Sequence, residues 1–192
     1  MKSILISIHP EWVDKIASGE KTIEVRKSAP KEVPFKAYIY CTKAKPFIQK
    51  IRFGDTAISH TQISKNLYNG KVIGEFICDK VDKYEPLLFK GQEFYQNFAG
   101  REESQSCLSL REILKYGKGK TLYGWNISDL KIYDKPKELS EFFKPCSQSK
   151  NLDCDWLRSH NVCGCSVKQP ITRPPQSYMY IEEVEEQNNN DN

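Results

Sequence analysis

The sequence predicts an α+β, mostly β fold, a small barrel with helical additions. Two observations favour this class. Short segments with two-residue apolar alternation recur between turns, and helical apolar spacing is confined to a few stretches. The 192 residues, 39% of them hydrophobic, suffice for one core with an extension. We therefore expect a barrel over residues 1–133, a cysteine-containing extension over 134–181 that returns a strand to the barrel, and a disordered acidic tail over 182–192.

The first elements are a strand, a helix and a second strand. Residues 3–8 are rich in β-branched side chains and predict the first strand. Pro10 suits a first helical position, the apolar residues after it follow helical spacing, and Gly19 is a stop signal. Over residues 21–26 the period becomes two, which predicts a strand with Lys21, Ile23 and Val25 on one side and Thr22, Glu24 and Arg26 on the other. The apolar pair, Ile23 and Val25, is expected to turn the first side towards the core.

The middle of the chain predicts two further strands. After a lysine- and proline-rich loop at 28–34, residues 36–41 have strand character. A polar stretch without clear period then continues to Gly70. Residues 71–81 form the strongest strand pattern, and Gly74 within it indicates a bulge.

Residues 85–117 predict helix in two pieces, with the second beginning at a capping box of Ser109 and Glu112. A strand over 125–133 and a short helix over 137–143 follow. Two prolines, Pro174 and Pro175, then lead into a last strand over 176–184.

Charge is unevenly divided along the chain. Five of the 25 acidic residues lie in the tail from 182 to 192, which has no basic residue, so residues 1–181 carry 29 basic against 20 acidic side chains, a net charge of +9. A basic body suits a polyanionic partner such as a nucleic acid. The sequence contains no apolar run near the ~20 residues that span a bilayer. We expect a cytoplasmic protein with no membrane partner.

The most informative motif is Gly19-x-Lys21-Thr22-x-Glu24-x-Arg26. Alternating charges on one strand face are typical of a solvated sheet surface, and that interpretation stays open. The order of helix, glycine and charged strand resembles the ASCH domain superfamily, whose fold is similar to the PUA RNA-binding barrel. The resemblance includes the strand over 4–8 and the helix over 10–18, and extends more loosely through 38–42 and 70–76 to about residue 133. Residues 174–178 resemble the end of bacterial and prophage-associated members.

The resemblance implies a cleft beside the Gly19–Lys21 turn that suits a nucleotide or modified base. Some similar small ASCH proteins are amidohydrolases that deacetylate N-acetylated cytidine, and others are described as RNA-binding or RNA-cleaving. In the amidohydrolase pattern a lysine activates a threonine three positions later. Lys21 matches that lysine, whereas the nucleophile position holds Glu24, and Thr22 lies beside the lysine instead.

The residues of the motif also suit ligand binding without hydrolysis. Lys21 and Arg26 can hold a phosphate, Glu24 can accept from an exocyclic amine, and Thr22 can donate or accept. For stacking on a base the candidates are Trp12, Tyr40, Tyr123 and Trp125. The alternative for Trp12 and Trp125 is a core position, and for Trp12 the core position is favoured. Gln176 and Ser177 are further candidates to contact a base, and His9 could line the cleft.

A second candidate site is a cluster of cysteines in the extension. Cys146, Cys154, Cys163 and Cys165 fall within 20 residues, and His160 is a substitute ligand. Thiolates so close together in a segment with few apolar residues could hold a structural zinc ion. Free or redox-active cysteines are the alternative, because the spacing lacks a Cys-x2-Cys knuckle.

Three functions follow. The first is a protein that binds RNA or a modified nucleotide through Lys21, Thr22, Glu24 and Arg26. The second is a small amidohydrolase or ribonuclease that uses Lys21 with Thr22 or Glu24. The third is a non-enzymatic adaptor that binds other proteins.

Overall fold

The structure is a computed structural model that describes residues 1–43, 69–145 and 169–182 in full and the backbone of residues 48–53 and 56–61. The described part contains twelve strands, three α-helices and one 3-10 helix. The strands are β1 Lys2–Ile8, β2 Ile23–Arg26, β3 Phe35–Cys41, β4 Ile48–Phe53, β5 Thr56–Thr61, β6 Val72–Cys78, β7 Val81–Tyr84, β8 Pro86–Phe89, β9 Gln92–Tyr95, β10 Leu122–Asn126, β11 Ser128–Lys137 and β12 Tyr178–Ile181. The helices are α1 Pro10–Ala17, α2 Arg101–Ser106, α3 Leu110–Gly117 and the 3-10 helix Leu139–Glu141.

The strands form two sheets and two separate hairpins. The larger sheet has five strands in the order β11-β6-β3-β1-β12, and the smaller has the order β2-β10-β7. Within the larger sheet β1 pairs with β3 in parallel, and the other pairs are antiparallel. The hairpins are β4-β5 and β8-β9. The mostly β class is confirmed, and the described strands form open sheets rather than a closed barrel.

Two cores lie on opposite faces of the larger sheet. Ile4, Ile6 and Ile8 of β1 pack on one side, in the cluster that also contains α1 residues, and Leu5 packs on the other. Because β1 is covered on both faces, it is an apolar run rather than an alternation. A third cluster, with Ile23 and Val25 among its members, lies under the smaller sheet.

Helix α1 confirms the first part of the sequence prediction. Pro10 occupies its start, where a missing N–H costs nothing, and the helix ends at Ala17. Gly19 then adopts a φ of +77°, a left-handed conformation that glycine reaches without steric cost, and the chain turns into β2. This turn places residue 21 just before the start of β2 in the smaller sheet.

Two regions differ from the prediction. The polar stretch after residue 42 contains the β4-β5 hairpin, and the first predicted helical piece is largely the β8-β9 hairpin, followed by the short helix α2. Lys90 and Gly91, with φ of 50° and 78°, form the turn of the second hairpin, a tight turn that suits paired strands. The α3 prediction is confirmed, including both hydrogen bonds of the Ser109–Glu112 capping box.

The predicted interruption of the central strand at Gly74 is confirmed. The register of β3 against β6 shifts between Ile39 and Tyr40, opposite this glycine. A Cβ atom there would lie 2.4 Å from the carbonyl oxygen of Lys131, so the neighbouring strand β11 can approach only because residue 74 has no side chain. Among the described helices, none has both the length and the apolar character needed to span a bilayer.

Candidate functional site

A cavity of about 700 Å³ opens at the C-terminal end of β1. It lies between the start of α1, strand β2, helix α3 and the loop at 174–176. Its wall contains the following residues: Ser7, Ile8, His9, Trp12, Lys21, Glu24, Val25, Arg26, Thr42, Leu108, Glu112, Lys115, Tyr116, Pro174, Pro175 and Gln176. We call it the turn cavity, because it lies beside the Gly19–Lys21 turn.

Three buried charged residues form the floor of the turn cavity. Lys21, Glu24 and Arg26 are 2%, 6% and 8% exposed. Glu24 and Arg26 alternate with the core residues Ile23 and Val25 along β2, as the two-residue period predicted. The same period placed Lys21 on the side of Ile23 and Val25, and that part of the prediction was wrong: β2 begins at Ile23, so Lys21 lies outside the alternation and its ammonium group lies beside Glu24. We call these three residues the charged floor.

The Lys21 ammonium group has three protein partners. It donates a 2.6 Å hydrogen bond to the carbonyl oxygen of Ser106, at the end of α2. Its Nζ also lies 3.4 Å from Glu24 Oε2 and 5.2 Å from the centre of the Trp12 ring. Burial lowers the pKa of Lys21 below its usual value, and the nearby Glu24 carboxylate opposes that shift.

Arg26 and Glu24 complete the charged floor. Arg26 Nη2 donates a 2.6 Å hydrogen bond to the carbonyl oxygen of Ser7, which ties β2 to the larger sheet. Arg26 Nε lies 2.9 Å from Glu24 Oε1, an ion pair in which Nε makes no aligned hydrogen bond with any described residue. Glu24 therefore lies between two cations, and the floor carries one net positive charge.

Backbone hydrogen bonds hold the turn that presents Lys21. The amide of Lys21 donates to the Lys15 carbonyl of α1 at 2.9 Å, and the amide of Thr22 donates to the Gln105 carbonyl of α2 at 2.9 Å. The carbonyl of Thr22 accepts from Ile127 at 2.9 Å. The position of Lys21 thus depends on three segments that are far apart in sequence.

The structure brings some of the predicted ligand-binding residues together and separates others. Lys21, Glu24, Arg26 and Gln176 line the turn cavity, and so does His9. The remaining predicted residues do not line it; these are Thr22, Tyr40, Trp125 and Ser177.

The predicted stacking role of Trp125 and Tyr40 meets a physical obstacle. Trp125 is 0% exposed and packs edge-on against Phe35 and Tyr178, with ring centres 5.2 Å apart in each pair. Tyr40 is 3% exposed and packs in the core on the other face of the larger sheet. Both side chains fill space between layers, so neither presents a face to the turn cavity.

Sequence reasoning missed the contribution of helix α3. Glu112, Lys115 and Tyr116 line the turn cavity from this helix, and Tyr116 is 38% exposed. The signal was their spacing, because residues three and four apart share a helix face. Trp12 lines the cavity from α1 and is half-buried, so its two proposed roles, core packing and ligand contact, both fit its position.

No group of described residues has three side chains of histidine, cysteine, aspartate or glutamate arranged to hold a metal ion. The predicted zinc ligands lie in another part of the chain. Cys146, Cys154, Cys163, Cys165 and His160 all lie outside the described residues.

The family model of the ASCH domain matches residues 6–151. A serine-to-alanine variant of the ASCH protein from Zymomonas mobilis is similar in structure, with a TM-score of 0.52 at 16% identity over 93% of this chain and 87% of that chain. The unaltered protein gives a TM-score of 0.48 at 19% identity over the same shares of the two chains. At these identities the likeness concerns the fold alone. No curated protein matches the chain.

Proposed function

The chain belongs to the ASCH domain family, and from that premise we propose that it binds RNA or a modified nucleotide in the turn cavity. The observation that carries the proposal is the charged floor of Lys21, Glu24 and Arg26. Removing charged groups from water costs several kcal/mol per ion in order of magnitude, so buried charges in a cleft are concentrated at functional sites.

The dimensions and lining of the turn cavity support a ligand of nucleotide size. Its volume of about 700 Å³ lies within the ordinary range of small-molecule sites. Two aromatic side chains, Trp12 from α1 and Tyr116 from α3, line it together with the amide of Gln176. Aromatic side chains suit a base face, and an amide can donate to or accept from a base edge.

The charge of the protein also supports this ligand class. Residues 1–181 carry a net charge of +9. A basic body raises the local concentration of a polyanion and speeds its association. RNA is the polyanion that we associate with this fold, because the resemblance to the PUA barrel implies it.

A matched pair of tyrosine variants tests this proposal. Tyr116→Ala is expected to weaken binding of a short single-stranded RNA roughly tenfold, since stacking of one base contributes about 1–3 kcal/mol. Tyr180 is equally exposed, at 38%, but lies on β12 outside the turn cavity, so Tyr180→Ala is expected to bind as the wild type does. Fluorescence anisotropy with a labelled oligonucleotide measures both. Equal binding by all three proteins would exclude the turn cavity as the binding site.

A second candidate function is hydrolysis at the same cavity, and the lowered pKa of Lys21 favours it. A lysine with a lowered pKa is unprotonated more often near neutral pH and can then accept a proton from an attacking water or hydroxyl. Glu24 is its charged partner at 3.4 Å. Thr22 suits this role less, because its buried Oγ1 does not line the turn cavity.

The rate of turnover measured as a function of pH tests the proposed hydrolytic function. With Lys21 as general base, activity on acetylated cytidine or a short RNA is expected to rise with pH, with a midpoint below the usual lysine pKa of about 10.5. Lys21→Met is expected to abolish it. Mass spectrometry identifies the products. If neither substrate is turned over but RNA binding is present and Tyr116→Ala weakens it, the protein is a binding protein. If turnover and RNA binding are both absent, a protein-binding adaptor is favoured.

A further inference from the structure

We infer that Glu24 selects RNA bases that present an amino group, and that the phosphates lie outside the turn cavity along its lysine-bearing rim. This inference rests on the proposed function and assigns parts of the ligand to parts of the cavity. It gives the charged floor a role in choosing the base rather than in holding a phosphate. The rim consists of Lys115, Tyr116 and Lys27.

The cations of the floor are directed at protein acceptors. The ammonium group of Lys21 contacts the Ser106 carbonyl, the Glu24 carboxylate and the face of the Trp12 ring. Arg26 Nη2 donates to the Ser7 carbonyl, and Arg26 Nε lies against the Glu24 carboxylate. A phosphate on the floor would have to displace these contacts, at the cost of leaving buried carbonyl groups without a donor.

Glu24 makes the floor unsuitable for a second anion. A phosphate that contacted both cations would also lie against this carboxylate, which is 2.9 Å from Arg26 Nε and 3.4 Å from Lys21 Nζ. Like charges in contact within a poorly solvated site repel strongly. A hydrogen-bond donor is attracted to the same carboxylate, because a carboxylate can accept about four hydrogen bonds and each of these two cations lies near one of its oxygens.

The bases differ in what they offer to a carboxylate. Adenine, cytosine and guanine present an exocyclic amino group, from which Glu24 can accept a hydrogen bond. Uracil has one ring N–H between two carbonyl groups, and both carbonyl oxygens would face the carboxylate. The floor therefore favours adenine or cytosine over uracil. The base must be unpaired, since in a duplex its Watson–Crick edge is occupied.

The rim provides cations that are accessible to phosphates. Lys115 is exposed and lines the turn cavity from the last turn of α3. The neighbouring Tyr116 also lines the cavity, and the ammonium group of Lys27 lies 4.8 Å from the centre of its ring. Among the described residues neither lysine is in an ion pair. An RNA strand with one base inserted into the turn cavity can thus place its flanking phosphates on this rim.

Binding of six-nucleotide oligo(A), oligo(C) and oligo(U), measured by anisotropy over a series of KCl concentrations, separates the two roles. The wild type is expected to prefer oligo(A) or oligo(C) over oligo(U) roughly tenfold, as a hydrogen bond to a charged group allows. Glu24→Gln is expected to lose most of this preference while the slope of log affinity against log salt stays constant. Lys115→Ala is expected to keep the preference and reduce that slope by about 0.7, the value for one single-strand phosphate. Lys118→Ala, an exposed lysine beyond the cavity, is the matched control.

Each outcome decides a specific point. Equal binding of the three oligonucleotides by the wild type overturns the base selection, and an unchanged salt slope in Lys115→Ala overturns the rim. Both results are independent of whether Glu24→Gln folds, and Glu24→Asp, which retains the carboxylate one methylene further back, provides a second test of selection. If the wild type binds none of the oligonucleotides even at low salt, the proposed function fails with the inference. If the wild type binds all three oligonucleotides equally and Tyr116→Ala weakens that binding, the inference alone fails.

Discussion

Glu24→Ala is expected to lower the free energy of unfolding by about 3–5 kcal/mol, the usual cost of removing one partner from a buried ion pair. The substitution leaves Lys21 and Arg26 in the charged floor without their shared carboxylate, and both remain at least nine-tenths buried. The loss comes mainly from two uncompensated buried cations rather than from the lost attraction itself. Urea denaturation followed by circular dichroism measures it.

Two further variants distinguish this explanation from a general loss of packing. Glu20→Ala removes a carboxylate four residues away that pairs with Lys15 on the surface, and it is expected to leave the denaturation midpoint close to that of the wild type. Lys21→Met added to Glu24→Ala removes one of the two unpaired cations, so part of the lost stability is expected to return. A double variant less stable than Glu24→Ala would contradict the charge explanation.

The sequence was sufficient for the elements whose causes are local. The apolar spacing after Pro10 and the left-handed Gly19 determine α1 and its end, and the Ser109–Glu112 box determines the start of α3. The period of two after Gly19 correctly separated the core residues of β2 from its charged residues. These features depend on contacts within a few residues, which a pattern can capture.

The rest of the site depends on contacts between distant segments. The carbonyl that accepts from Lys21 belongs to Ser106, 85 residues along the chain, and no spacing rule connects the two. Tyr116 lines the turn cavity because Ile113 anchors α3 in the core cluster that also contains Ile23 and Val25 of β2. The β8-β9 hairpin was mistaken for helix because its run of exposed apolar residues, at Leu87, Leu88 and Phe89, lacks the alternation of a half-buried strand.

Trp125 shows why an aromatic residue near a motif needs the structure before a role is assigned. On β10 it pairs in register with Glu24, so its backbone lies beside the charged floor. Its ring, however, points into the space between the two sheets, where it contacts Phe35 of β3 and Tyr178 of β12. Directly opposite residues of an antiparallel pair project to the same face of the sheet, so the packing neighbours of each side chain, rather than its face, decide which cavity it reaches.

Trp125→Ala is therefore expected to lower the free energy of unfolding by about 3–5 kcal/mol, the usual range for truncating a fully buried aromatic side chain. The cavity left behind would separate the larger sheet from the smaller one. Trp125→Phe keeps most of the ring volume, and because the indole nitrogen has no hydrogen-bond partner among the described residues, its removal breaks no such bond. We expect a smaller loss of stability for this variant, and RNA affinity equal to that of the wild type.

The pair of measurements decides between packing and ligand contact. Urea denaturation gives the stability of each variant, and anisotropy with a short RNA gives the affinity of Trp125→Phe. Since a phenyl ring stacks less well than an indole, a base-stacking role would appear as weaker binding by Trp125→Phe even when the protein is folded. Weakened binding in that variant, with Tyr116→Ala unaffected, would place the ligand against β10 instead of in the turn cavity.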